Sequence, residues 1–124
     1  MKTYESEETY LETIFILERQ GGGARSVDIA NELGYSRPSI SAAMKNLRGK
    51  GYIKTDSAGY IKLTPGGREI AEAMYERHTI ISDWLVYLGV DEKTAANDAC
   101  RMEHAMSAES FAAIKKHIEN INNN

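Results

Sequence analysis

Residues 26–63, SVDIANELGYSRPSISAAMKNLRGKGYIKTDSAGYIKL, decide the fold of this 124-residue chain. Val27, Ile29, Ala30 and Leu33 give a short helix from Ser26 to Leu33 its apolar face, and Gly34 stands where a left-handed C-cap belongs. Ser36 can cap a new helix whose first turn tolerates Pro38, because a proline there forfeits no intrahelical hydrogen bond. That helix runs to about Arg48 and buries Ile40, Ala43, Met44 and Leu47; Gly49 and Gly51 break it. Tyr52-Ile53-Lys54 and Tyr60-Ile61-Lys62-Leu63 then alternate around Asp56-Ser57-Ala58-Gly59, the pattern of a β-hairpin. Two short helices joined at a glycine and followed by a two-stranded hairpin make a winged helix-turn-helix.

In such a unit the second helix lies in the major groove of double-stranded DNA and offers base edges its N-terminal residues. Here those residues are Ser36, Arg37, Pro38, Ser39, Ser41 and Ala42. Small hydroxyl side chains allow close approach and bond bases or phosphates, while proline and alanine suit a thymine methyl. Lys45, Arg48, Lys50 and Lys54 follow at positions suited to phosphates, and the hairpin tip supplies the wing. The formal net charge of −3 conceals a division along the chain. Between Ala24 and Arg68 eight Lys/Arg face three acids, while the remainder carries seven against fifteen. A basic segment inside an acidic protein suits a polyanion partner for that segment alone. Some winged helices serve only as protein-interaction modules, and the local basic bias weighs against that use here.

Outward from this segment the pattern stays helical. Glu7 to Gln20 carries Leu11, Ile14, Phe15 and Leu17 at helical spacing and ends at Gly21-Gly22-Gly23. Thr64-Pro65 places an N-cap and a first-turn proline at the head of a long helix. Its stripe is Ile70, Met74, His78, Ile81, Leu85 and Leu88, and it ends at Gly89. Asp91 can cap a helix through Ala105, and Ser107 starts a last one with Phe111, Ile114, Ile118 and Ile121 in register. The fold class expected is mainly α: a winged helix-turn-helix of three helices plus a β-hairpin wing over residues 1–70, then a helical half over 71–124. The apolar stripe of the last helix asks for a partner surface, so a homodimer is expected. With 42% hydrophobic and 27% charged residues the composition is that of a soluble globular protein. No apolar run suits a membrane, the N-terminus lacks the apolar core of a secretory signal, and a single cysteine fits a reducing cytoplasm.

The long-helix stripe is interrupted by His78, and the next helix carries Cys100, Glu103 and His104. Spacings of three and four residues put these last three on one helix face. Thiolate, carboxylate and imidazole together suit a divalent transition metal. A lone cysteine is more often a small core residue, and a histidine facing a core is more often structural; here two helices carry donors that can meet. On the first helix Glu8, Thr9 and Glu12 flank the apolar stripe and offer oxygen donors, or simply a solvated acidic face.

The chain also resembles the diphtheria-toxin-repressor/manganese-transport-regulator (DtxR/MntR) family. The likeness lies in Glu8-Thr9-Tyr10-Leu11-Glu12-Thr13-Ile14, Ser26-Val27-Asp28-Ile29-Ala30, Leu63-Thr64-Pro65-Gly66-Gly67-Arg68, Arg77-His78 and Asn97 through Ser107. It implies a repressor of metal homeostasis genes, activated by Fe²⁺ or Mn²⁺, that binds a palindromic operator as a homodimer once metal fixes the first helix. Other divalent transition metals are expected to substitute in vitro. Carried over by position, Cys100, Glu103, His104 and His78 match metal ligands, and Glu12 matches the first-helix glutamate of manganese-type members. The sequence also departs from both subtypes. Thr9 stands where manganese-type members have aspartate and iron-type members methionine. Cys100 is the iron-type residue, and Ser82 and Ala96 occupy positions of the iron-type ancillary site. The resemblance is to the short form without an SH3-like domain. A winged-helix regulator with a structural or degenerate metal site and another effector is the alternative reading. No glycine-rich phosphate loop, Ser-His-Asp arrangement or zinc-hydrolase motif supports an enzyme with a small-molecule substrate.

Overall fold

The computed structural model describes residues 5–122, in the order α1 (Glu5–Arg19), α2 (Ser26–Leu33), α3 (Arg37–Gly49), β1 (Ile53–Thr55), β2 (Ile61–Leu63), α4 (Pro65–Tyr87), α5 (Glu92–Ala105) and α6 (Ala108–Asn122). Three helices, a hairpin and three further helices is the expected mainly α architecture. The chain divides into two compact units between Ala73 and Met74. Among the described residues no helix is long and apolar enough to cross a membrane.

The first unit is built on an apolar core that every element shares. Leu11, Ile14 and Phe15 of α1, Ile29 and Ala30 of α2, and Ile40, Met44 and Leu47 of α3 are buried, with Ile53, Ile61 and Leu63 from the hairpin. Burying each large side chain contributes about 1.5–3 kcal/mol before entropy is charged against it. The α2–α3 turn forms as its glycine requires: Gly34 has φ 72° and its N–H donates to the Ala30 carbonyl at 2.9 Å. Ser36 caps α3 by accepting the Ser39 N–H at 3.3 Å, and Pro38 sits in the first turn, where its missing donor is not needed.

Several boundaries differ from expectation. Helix α3 continues through Gly49, because Lys50 keeps a right-handed conformation and the reversal comes at Gly51, with φ 81°. Tyr52 and Tyr60 lie outside the strands. The Tyr52 carbonyl accepts the Thr64 N–H at 3.0 Å, and the Tyr60 carbonyl accepts the Asp56 N–H at 2.9 Å, closing the hairpin loop. Asp56 also folds that loop through Oδ1, which accepts the N–H groups of Ala58 and Tyr60, each at 2.9 Å. At the head of α4 the Thr64 hydroxyl accepts the Gly67 N–H at 3.2 Å and donates to the Gly51 carbonyl at 2.6 Å.

In the second unit Ile81 from α4, Ala99 from α5 and Phe111 from α6 form the centre, flanked by Ile80, Leu85, Met102 and Met106. Helix α4 stops at Tyr87, two residues before the expected end, and Gly89 (φ 104°) reverses the chain. Leu88 therefore leaves the stripe assigned to it and is 59% exposed. Asp91 caps α5, accepting from Thr94 N–H at 3.0 Å, and these bonds hold its carboxyl below the ordinary range. The Ser107 hydroxyl accepts the Ser110 N–H at 3.0 Å and starts α6. Phe111 is satisfied inside this unit rather than by a partner, whereas Ile114, Ile118 and Ile121 are half-buried.

Candidate metal centre and nucleic-acid surface

The first unit presents the side chains expected to meet DNA. Burying Ile40, Met44 and Leu47 turns the opposite face of α3 outward, so Ser36, Arg37, Pro38, Ser39, Ser41, Ala42, Lys45 and Arg48 are all exposed, as is Lys54 on β1. Ser36 and Ser39 are also joined hydroxyl to hydroxyl at 2.9 Å. Arg48 donates to the Thr55 hydroxyl at 3.2 Å, tying the end of α3 to the wing. Lys50 has a partner within the protein. Its ammonium lies 2.7 Å from the Glu7 carboxylate, whose side chain is only 6% exposed. That pairing fastens α1 to the end of α3. Spacing along the chain carries no sign of a pair 43 residues apart.

In the second unit a buried carboxylate lies between two imidazoles. Glu103 is 0% exposed; its Oε2 is 3.3 Å from His78 Nδ1 and its Oε1 is 3.3 Å from His104 Nε2. The His104 side chain is 2% exposed and that of His78 30%. Helical geometry produces this. His78 falls one turn before Ile81 on the inward face of α4, and Glu103 falls four residues after buried Ala99 on α5. Cys100 lies almost a turn before Glu103 on α5 and is exposed.

Sequence reasoning gave no role to Arg77. Its Nη1 donates to the carbonyls of Glu103 at 2.9 Å and Met106 at 2.8 Å, and its guanidinium lies 5.2 Å from the centre of the Phe111 ring. One cation thus satisfies two carbonyls at the end of α5, where the helix leaves them without intrahelical donors. The only signal was a charge beside His78 on an apolar stripe.

The other two candidate donors belong to the first unit. Glu12 on α1 is 8% exposed, an uncommon depth for a carboxylate. Thr9 is half-buried one turn before Thr13, whose hydroxyl donates to the Thr9 carbonyl at 2.8 Å. A carboxylate at 0% exposure with two imidazoles against it suits a divalent cation in donor chemistry, since imidazole and carboxylate together favour first-row transition ions.

Comparison with known proteins divides the chain in the same sense. Residues 2–62 match the iron dependent repressor N-terminal DNA binding domain, and residues 64–124 match the iron dependent repressor metal binding and dimerisation domain. The transcriptional regulator MntR of Salmonella typhimurium is 38% identical over 104 residues, which are 84% of this chain and 66% of that protein. An HTH-type transcriptional regulator of Methanocaldococcus jannaschii is 32% identical over 117 residues, covering 93% of this chain and 94% of that one. A manganese-dependent transcriptional repressor solved in complex with manganese superposes with a TM-score of 0.79 at 25% identity, covering 91% of this chain and 52% of that one. The chain therefore spans about two thirds of the Salmonella protein and about half of the solved repressor. With helix-turn-helix, wing and helical half in family order, the chain belongs to the iron-dependent repressor family of transcriptional regulators, the DtxR/MntR family whose motifs run through its sequence.

Proposed function

We propose that the chain is a cytoplasmic, metal-dependent transcriptional repressor, activated by Fe²⁺ or Mn²⁺, that binds a palindromic operator as a homodimer and controls metal homeostasis genes. The observation that carries this reading is Glu103, fully buried between His78 and His104 within the half that matches a metal-binding and dimerisation domain. A carboxylate withdrawn from water is costly unless positive charge or donors meet it, and a divalent ion bound there supplies that charge. Glu103 and His104 are the central donors, with His78, Cys100, Glu12 and Thr9 as further ones. The exposed hydroxyls and cations of α3 and β1 support the DNA half of the reading, with Arg37 near base edges and Lys45, Arg48 and Lys54 toward phosphates.

Both Mn²⁺ and Fe²⁺ suit the donor set: the MntR relative and the solved repressor point to manganese, and the Cys100 thiolate to a softer ion. Affinity alone does not separate the two, since zinc and the later ions bind such donors more tightly.

The test is binding to duplexes enriched from a random pool with Mn²⁺ present, measured by fluorescence anisotropy after chelation and after return of Mn²⁺, Fe²⁺ or Zn²⁺. Binding that appears only with metal is the expected result. Equal binding with and without metal would assign the site a structural or degenerate role under another effector.

A further inference from the structure

The wing carries two lysines side by side. Strands β1 and β2 pair antiparallel with Ile53 opposite Leu63, Lys54 opposite Lys62 and Thr55 opposite Ile61. Ile53, Ile61 and Leu63 are buried, whereas Lys54 and Lys62 are both exposed on the other face of the hairpin. Residues directly opposite in such a pair stand about 4.5–5.5 Å apart at Cβ, and like charges there are destabilising. Any neutral side chain would satisfy this solvent-facing position without the repulsion.

No neighbouring carboxylate among the described residues pairs directly with either lysine. Lys54 and Lys62 line a shallow concavity together with Glu18, Asp56 and Arg68. Glu18 is engaged by Arg68 at 3.0 Å. Asp56 Oδ1 is turned into its own loop, where it accepts the N–H groups of Ala58 and Tyr60. Among the described residues neither lysine makes an ion pair or a hydrogen bond. Two lysines rooted at opposite positions of the hairpin, with six ammonium donors between them on flexible stems, can converge on one tetrahedral oxyanion.

We propose that Lys54 and Lys62 hold one phosphate group jointly, and that this group is a phosphodiester of the DNA backbone flanking the bases met by α3. The choice of DNA rests on the function proposed above; the seat itself rests on the hairpin register. The wing thus grips the duplex through a pair whose repulsion in the free protein is discharged on binding.

The experiment uses the full chain loaded with Mn²⁺, the enriched duplex and an unrelated one, and the variants Lys54→Gln, Lys62→Gln and the double variant. Each single substitution is expected to weaken both duplexes by the same factor. The slope of log affinity against log salt is expected to flatten by roughly 0.9, one phosphate's worth, in the double variant, and not by twice that. Without DNA or metal, Lys62→Gln is expected to raise the unfolding midpoint at low salt. That gain should vanish at high salt and in the Lys54→Gln background, which is also a check that the variants fold. Matched phosphate and chloride solutions supply a second arm, in which inorganic phosphate stabilises the wild type more than the double variant. A double variant with unchanged DNA affinity and slope, in a protein whose wild type binds DNA, overturns the assignment to DNA. No difference from the wild type in either DNA or phosphate overturns the seat. If the wild type fails to bind DNA at all, the function proposed above fails, and the phosphate arm decides the seat separately.

Discussion

Desolvating a carboxylate is tolerated only where partners replace its water, and Glu103 meets two imidazole nitrogens at 3.3 Å with no surface exposed. Its isostere therefore separates shape from charge. Glu103→Gln is expected to fold, because the amide fills the same volume, yet to lose metal-dependent operator binding. A ligand present at a hundred times its Kd raises stability by about 2.7 kcal/mol, so added Mn²⁺ should lift the wild-type unfolding midpoint and leave that of Glu103→Gln nearly unmoved. Equal lifting of the two midpoints would show that this carboxylate holds no metal. Much of this centre is legible in the sequence, since spacings of three and four set Cys100, Glu103 and His104 on one turn and His78 interrupts an apolar stripe. The depths are not legible, for they depend on what packs over each side. Glu103 is sealed while Cys100 stays exposed on the same helix. Arg77 stayed silent for a similar reason, because its partners are backbone carbonyls 26 and 29 residues away.

Helix starts proved the most readable elements, since a cap is a local bargain between one side chain and the next three N–H groups. Ser36, Thr64, Asp91 and Ser107 all accept as their positions suggest. Ends and strand limits depend on contacts across the fold, which is why Tyr52 and Tyr60 fell outside the strands and Leu88 outside α4. The glycine pair heading α4 shows the difference within two adjacent residues. A Cβ on Gly67 would run into the Tyr52 carbonyl, backbone that cannot swing aside, whereas at Gly66 the nearest atom is the Thr64 hydroxyl oxygen at 3.9 Å. Gly67→Ala is therefore expected to cost about 1–3 kcal/mol through overpacking. Gly66→Ala, in helical conformation with room to spare, should stabilise by about 0.4–1 kcal/mol by restricting the unfolded chain. Urea midpoints of the two variants check this, and a Gly67→Ala protein as stable as the wild type would show that Tyr52 does not demand the glycine.

At the scale of the whole molecule the second unit carries an apolar surface around a groove. Ile80, Trp84, Tyr87, Ile118 and Ile121 line a groove of about 200 Å³, and Val86, Tyr87 and Leu88 beside it are 39%, 70% and 59% exposed. Exposed aromatic and aliphatic side chains grouped beside an apolar groove suit an interface. The half that bears it matches a metal binding and dimerisation domain, so a second copy is the expected occupant. Phe111, which the sequence alone assigned to the partner, is already packed against Ile81 and Ala99; Trp84, Tyr87, Leu88 and the end of α6 are then the surface a second copy is expected to cover. Symmetry then links assembly to DNA. Two copies related by a two-fold axis present two α3 helices to half-sites separated by about one helical turn, roughly 34 Å, or a multiple of it. Light scattering at micromolar concentration should give twice the chain mass of 13.8 kDa for the wild type. Tyr87→Glu, which would bury a charge in the seam, should shift it toward the monomer while leaving α3 and the wing untouched. The monomeric variant should still bind a half-site weakly, but lose the gain that two half-sites at the correct spacing give the wild type. A wild type that scatters as a monomer with Mn²⁺ present would defeat the dimer, and a Tyr87→Glu protein that stays dimeric would move the seam to another face.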